Sequence, residues 1–209
     1  MRAAPRLILG FAVAVPGLFL NGAASAQANM AHTHVGHVAQ RFTDTPANRG
    51  LIVTATAEAA VALEHASMAG DNPESLENMK LHAGHVIHAI DPTVEINGPG
   101  FGYGVKKAAT GTIQHTEMAA AVPGNSVTMR ILTGQILAST RDALSLTDQI
   151  VALAKQIQNA DNAAEAAKLV QEMTKLTREM TSGVEGKGGL WHAEQSASLL
   201  RRAEGVGGN

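Results

Sequence analysis

The chain has 209 residues, a formal net charge of −2, 45% apolar residues and no cysteine. Mild acidity excludes a basic nucleic-acid footprint, and with aromatics at only 3% the chain has no platform for stacking bases. The lack of cysteine excludes disulfides, thiolate zinc sites, covalent c-type haem and cysteine-ligated iron–sulfur clusters.

In chain order, Arg2 and Arg6 precede an apolar stretch from Leu7 to Leu20 that is broken by Gly10, Pro16 and Gly17. Ala24-Ser25-Ala26 then supplies a small-x-small cleavage site. This three-part start reads as a secretory signal over residues 1–26. The expected location is the periplasm, with no stable membrane insertion after cleavage, because the apolar run falls short of the about 20 residues that a spanning helix needs. About 180 residues remain, enough for one domain with a sizeable core.

Residues 27–50 are polar, contain Gly36, Pro46 and Gly50, and show little periodicity, so an extended N-terminal arm is expected there. From Leu51 the chain becomes rich in alanine. Leu51, Thr54, Ala57, Val61, His65 and Met68 recur at three- and four-residue spacing, which predicts a first helix ending near Ala69-Gly70-Asp71-Asn72. Asn72-Pro73-Glu74 opens a second helix that Asp91-Pro92 stops, with Leu76, Met79, Ala83, Val86, Ile87 and Ile90 as its apolar stripe. Thr93 to Ile96 is the one candidate strand before Ser182.

The glycine-rich connector Asn97 to Gly102 leads to a third helix over about 103–121. Pro123-Gly124-Asn125-Ser126 separates it from the longest run, about 126–159, whose stripe includes Met129, Leu132 and Ile136, flanked by Leu137, Leu144 and Val151. A fifth helix over about 162–182 and a short sixth over Leu190 to Ala203 follow. No internal repeat at a fixed period is expected. The fold class is all-α: an antiparallel up-down bundle of four to five main helices over 51–182, with residues 183–209 as a glycine-rich break and short C-terminal helix. Within that break Gly188, Leu190 and Glu194 resemble an EF-hand loop. Gly183 and Lys187 stand where oxygen ligands belong, so no calcium site is expected.

Eight of the nine histidines lie between His32 and His115. Imidazole is the commonest protein ligand for borderline transition metals and titrates near neutral pH. Rise arithmetic brings His65, His82 and His115 of three successive helices to within about two turns of one level. Each has a methionine three residues away, Met68, Met79 and Met118. The arm's His32, His34 and His37 enter from the end where His85 and His88 are expected, so His34, His37, His85 and His88 form a second candidate group.

A His/Met set suits copper, with zinc or nickel next. The leading expectation is therefore a non-enzymatic periplasmic metal-binding protein that buffers, delivers or senses its ion. One alternative is a b-type haem protein with His/His or His/Met ligands. Another is a pH-responsive partner-binding bundle without metal. The metal ion is the expected partner, nucleic acid is not, and no catalytic residue stands out. N-terminal sequencing of the exported protein should find Gln27 or a neighbour first; a retained Met1 on membrane-bound protein would refute the signal.

Overall fold

A computed structural model describes residues 20–207, with side chains from residue 29 onward; residues 1–19 of the expected export signal lie outside the described residues. The described chain is all-α. Its helices are α1 (Leu20–Ala39), α2 (Leu51–Asp71), α3 (Leu76–Ile90), α4 (Val105–Ala120), α5 (Val127–Asn159), α6 (Ala163–Ser182) and α7 (Leu190–Ala203). A short 3-10 turn covers Pro46–Asn48, and β1 (Gly183–Val184) pairs antiparallel with β2 (Lys187–Gly188). Among the described residues, no helix is long and apolar enough to cross a membrane.

Small side chains set the packing. On α2, Ala55, Ala59, Ala62, Ala66 and Ala69 are all fully buried. This face lets the helix sit centrally, in contact with α3, α4, α6 and α7. Polar caps fix several helix starts, where backbone donors have no intrahelical partner. The side chains of Ser75, Ser126 and Asn162 accept from the backbone N–H groups of Asn78, Met129 and Glu165. Several threonines occupy core-facing positions with the hydroxyl satisfied within the helix, Thr140 being a buried exception. Thr112 and Thr116 on α4, Thr133 on α5 and Thr177 on α6 donate to the carbonyl four residues back.

Two expectations need correction, the extended arm and the candidate strand. The N-terminal segment is not an extended arm as far as residue 39. Ala31, Val35 and Val38 recur at helical spacing, are buried, and turn α1 toward α4 and α7. Leu137 flanks the stripe as expected, half-buried beside the buried Ile136. Thr93 to Ile96 makes no strand; it folds back on Asp91, whose carboxylate accepts from the backbone and hydroxyl of Thr93. The EF-hand-like segment is the β1–β2 hairpin running into α7, with Gly183 and Gly186 at positive φ. The hairpin lies so close to α5 that a Cβ on Gly188 would collide with Ser139.

The connector between α3 and α4 is anchored by a buried acid. Glu58 on α2 is fully buried and accepts from the backbone N–H groups of Phe101 (3.2 Å), Tyr103 (2.8 Å) and Gly104 (3.0 Å). Gly104 has a φ of 82°, and a Cβ there would fall 2.5 Å from Pro92, so the start of α4 is held against the end of α3. Replacing Glu58 by alanine strands three backbone donors at about 1–3 kcal/mol each. Glu58→Ala should therefore lower unfolding stability by about 3 kcal/mol or more and expose the 98–104 connector to protease. Chemical denaturation checks the first effect and limited proteolysis the second; a wild-type midpoint would refute the anchor.

Candidate metal centre

Two groups of three histidines converge. In the first, α1 supplies His34 and His37 and α4 supplies His115; the Nδ1 of His115 lies 2.9 Å from that of His34 and 3.3 Å from that of His37. In the second, α3 supplies His82 and His85 and α2 supplies His65. The Nδ1 of His65 lies 2.9 Å from that of His82 and 3.3 Å from that of His85. Within each triad, one ring nitrogen from every histidine lies within 4.8 Å of the others.

The local reasons are the same in both. Histidines three apart occupy adjacent positions on a helix surface, so each pair presents two rings to one neighbouring helix. The residues beside them are small or apolar and buried: Val35 and Val38 on α1, Ala83 and Val86 on α3. The single histidine comes from a helix whose adjoining positions are also buried, Ala62, Ala66 and Ala69 on α2 and Thr112, Thr116 and Ala119 on α4. All six rings are half-buried at the edges of these seams.

The spacing matches a coordination sphere. With metal–nitrogen bonds of about 2.0–2.1 Å, two ligands stand about 2.9 Å apart at a right angle and about 3.3 Å apart at a tetrahedral angle. Without an ion, one N–H on the central histidine can be shared between the two others, because each neutral ring carries one donor and one acceptor.

Electrostatics favours the neutral, ligand-competent form. Burial, followed by the charge of His34, holds His37 below the ordinary histidine value, and burial, followed by His37 and His34, does the same for His115. In the other triad burial lowers His65, with His85 and His82 adding repulsion and Glu64 opposing it. Burial also lowers His85, with His82 and His88 reinforcing the shift and Glu95 opposing it.

The surroundings of the triads differ. The ring of Phe42 packs edge-on against His37 and His115, with centroids 5.3 and 5.2 Å away. A cleft of about 490 Å³ adjoins this triad and is lined by Phe42, Tyr103, Lys106, Lys107, Gln114 and His115, among others. On its wall the Tyr103 hydroxyl donates to Asp44 at 2.9 Å. Burial, then that carboxylate, pushes the phenol's pKa up to about 12, so Tyr103 stays a donor. Asp44 is held below its ordinary value by the Lys107 and Tyr103 hydrogen bonds.

The histidines expected from sequence are thus redistributed. Of His65, His82 and His115, the first two share a triad and His115 does not join them, and His34 and His37 do not meet His85 and His88. Because α1 is helical and packs on α4, its pair meets His115, leaving His65 to face the α3 pair. His32 lies outside the triads, 3.5 Å from the carboxylate of Glu204. His88 is buried with its Nδ1 2.8 Å from the Glu95 carbonyl oxygen, and Gly98 packs against its Cβ. Met79 is a fully buried core residue, Met68 is half-buried, and Met118 is 51% exposed.

An internal repeat accompanies the geometry, contrary to the sequence expectation. His34-Val-Gly-His37-Val recurs 48 residues later as His82-Ala-Gly-His85-Val, and His65-Ala-Ser-Met68-Ala recurs 50 residues later as His115-Thr-Glu-Met118-Ala. The α1–α2 segment therefore corresponds to α3–α4. Each triad takes its pair from one segment and its single histidine from the other. Comparison with protein families, curated proteins and solved structures returned no match.

The lowered histidines make stability depend on pH with a definite sign. An unfolded chain protonates them near 6.5, whereas the folded chain resists. Their contribution is fully present above that value and is lost as pH falls through the lowered values, because the unfolded state then binds more protons. The melting temperature of metal-free protein should fall between about pH 7 and pH 5. A variant with His65 and His115 changed to asparagine should lose less over that range; equal losses in both proteins would refute the assignment.

Proposed function

We propose that this protein binds two transition-metal ions per chain, one in each histidine triad, and that it serves in buffering, delivery or sensing of the ion after export to the periplasm. The observation carrying this reading is the duplication. Two different pairs of helices bring three imidazole nitrogens together with the same 2.9 and 3.3 Å separations, from the same H-x-G-H-V and H-x-x-M-A segments. A chance surface cluster has no reason to recur with matching distances.

Three neutral nitrogens and no thiolate suit the borderline divalent ions. Copper ranks first because divalent copper tops the affinity order for such donors, with zinc and nickel after it. Met68 and Met118 lie three residues beyond the single histidine in each repeat, within one helical turn, where a thioether would be the soft kind of donor that favours copper. A haem site is less well supported: two axial nitrogens sit on opposite faces of the iron about 4 Å apart, whereas these nitrogens are closer and three in number. Cleavage after Ala26 would leave both triads whole, which is compatible with the exported form being the metal-binding one.

Elemental analysis after copper or zinc loading should find two ions per chain. Exchanging His82 and His85 for alanine should remove one, and exchanging His34 and His37 the other, while His192→Ala should leave both. Each remaining ion should bind at least about tenfold more weakly at pH 5 than at pH 7, since protonated imidazole cannot coordinate. Parent protein that retains no ion after desalting would overturn the function.

A further inference from the structure

The two triads share their ligands but not their surroundings. We propose that the ion held by His34, His37 and His115 keeps a coordination position open toward the adjoining cleft and there binds a small oxygen or nitrogen anion from solution, whereas the ion held by His65, His82 and His85 does not. This inference rests on the metal-binding reading above and deepens it into a ligand-accepting site.

The cleft is the first observation. His115 forms part of its wall, together with Gln114 next to it in sequence, and its volume of about 490 Å³ exceeds what a small carboxylate needs. A three-histidine ion with a solvent-facing fourth position is the arrangement that takes up water or exogenous anions.

Charge is the second, independent observation. Three neutral imidazoles leave the full charge of a divalent ion uncompensated. The repeat places Glu64 immediately before His65 but Gln114 immediately before His115. The acid is close enough to act on His65, and Glu95 acts similarly on His85. At the first triad the corresponding position is a neutral amide on the cleft wall. Glu117, the nearby acid on α4, is already paired with Arg141 at 2.5 Å. Lys106 and Lys107 line the cleft together with Asp44 and Asp91, which pair with them at 2.9 Å (Lys107–Asp44) and 3.8 Å (Lys106–Asp91), so these ammonium and carboxylate groups offset one another and the attraction for an anion comes from the ion itself. Binding joins the anion's lone pair to the ion and displaces a water; no redox change is involved.

The test uses the full exported chain loaded with cobalt(II), whose visible spectrum reports coordination. Cobalt binding is measured first: if fewer than two ions bind, the two-site reading fails before the present inference is reached. With two ions bound, sodium azide and, separately, sodium acetate should change the spectrum with a stoichiometry of one anion per chain. The His82→Ala/His85→Ala protein, which keeps only the cleft triad, should respond fully, and His34→Ala/His37→Ala should not respond. Gln114→Glu, a change at an exposed position, should retain two cobalt ions but bind either anion at least tenfold more weakly. Two bound cobalt ions with no response to either anion would overturn the inference while leaving metal binding intact. So would a response confined to the other triad, or an unchanged anion affinity in Gln114→Glu.

Discussion

The distance between helices is the constraint on which both sites depend. An imidazole is short, so two helices can converge three ring nitrogens only if their backbones approach closely. Interaxial distance is set by the side chains at the contact. On α2 those side chains are alanines, with Ala55, Ala59, Ala62, Ala66 and Ala69 fully buried, and Ala83 is buried between the two histidines of α3. On α4 the seam is made of Ala108, Thr112, Thr116 and Ala119, and the threonines fit there because their hydroxyls are satisfied within their own helix. Larger residues in these stripes would enlarge the core and separate the histidines. The alanine content that makes the bundle compact is therefore also what builds the triads.

Close approach has an electrostatic consequence. Bringing three imidazoles together under partial burial penalises any proton on them, both through lost hydration and through mutual repulsion. For His37, His115, His65 and His85 this favours the neutral ring, the state a metal ion requires. A flexible histidine-rich tail would have to lose conformational freedom on binding; these side chains are placed by helices already packed into a core, so less ordering remains. The scaffold supports this from behind. Glu58 holds the connector that starts α4, and α5 contacts α3, α4, α6 and α7 together.

Much of the fold was legible because long, periodic helices announce themselves. The starts and ends of α2 through α7 fall within a few residues of the expected ones, since Asn72-Pro73, Asp91-Pro92 and Ser126 are local signals that act through backbone chemistry. The helix α1 was missed for a physical reason: histidines, a threonine and Gly36 occupy most of its surface, and only Ala31, Val35 and Val38 reveal its buried side. The candidate ligands were visible as residue types, but their grouping was not. Height along a bundle follows from rise per residue, whereas facing depends on helix rotation and on which neighbours pack. His115 and His65 were interchangeable on height and were separated only by α1 packing on α4. Glu58 gave no signal, because a glutamate on an alanine-rich helix ordinarily points to water.

The repeat explains why two sites exist and why they differ. Matching segments offset by 48 and 50 residues produce an arrangement in which each half completes the other's triad, so neither half carries a whole site alone. Reciprocal completion would couple any metal binding to the packing of the halves, because an ion in either triad would bridge both. Divergence has then been possible wherever it does not disturb the ligands. Leu81 and Thr33 differ on exposed surface, Lys80 stands opposite His32, and Glu64 stands opposite Gln114. Of these differences, the last is the one that changes charge directly beside a ligand, and it coincides with the triad that borders the cleft. Two copies with identical donors therefore stand in different electrostatic settings, with a carboxylate immediately before the single histidine in one and a neutral amide there in the other.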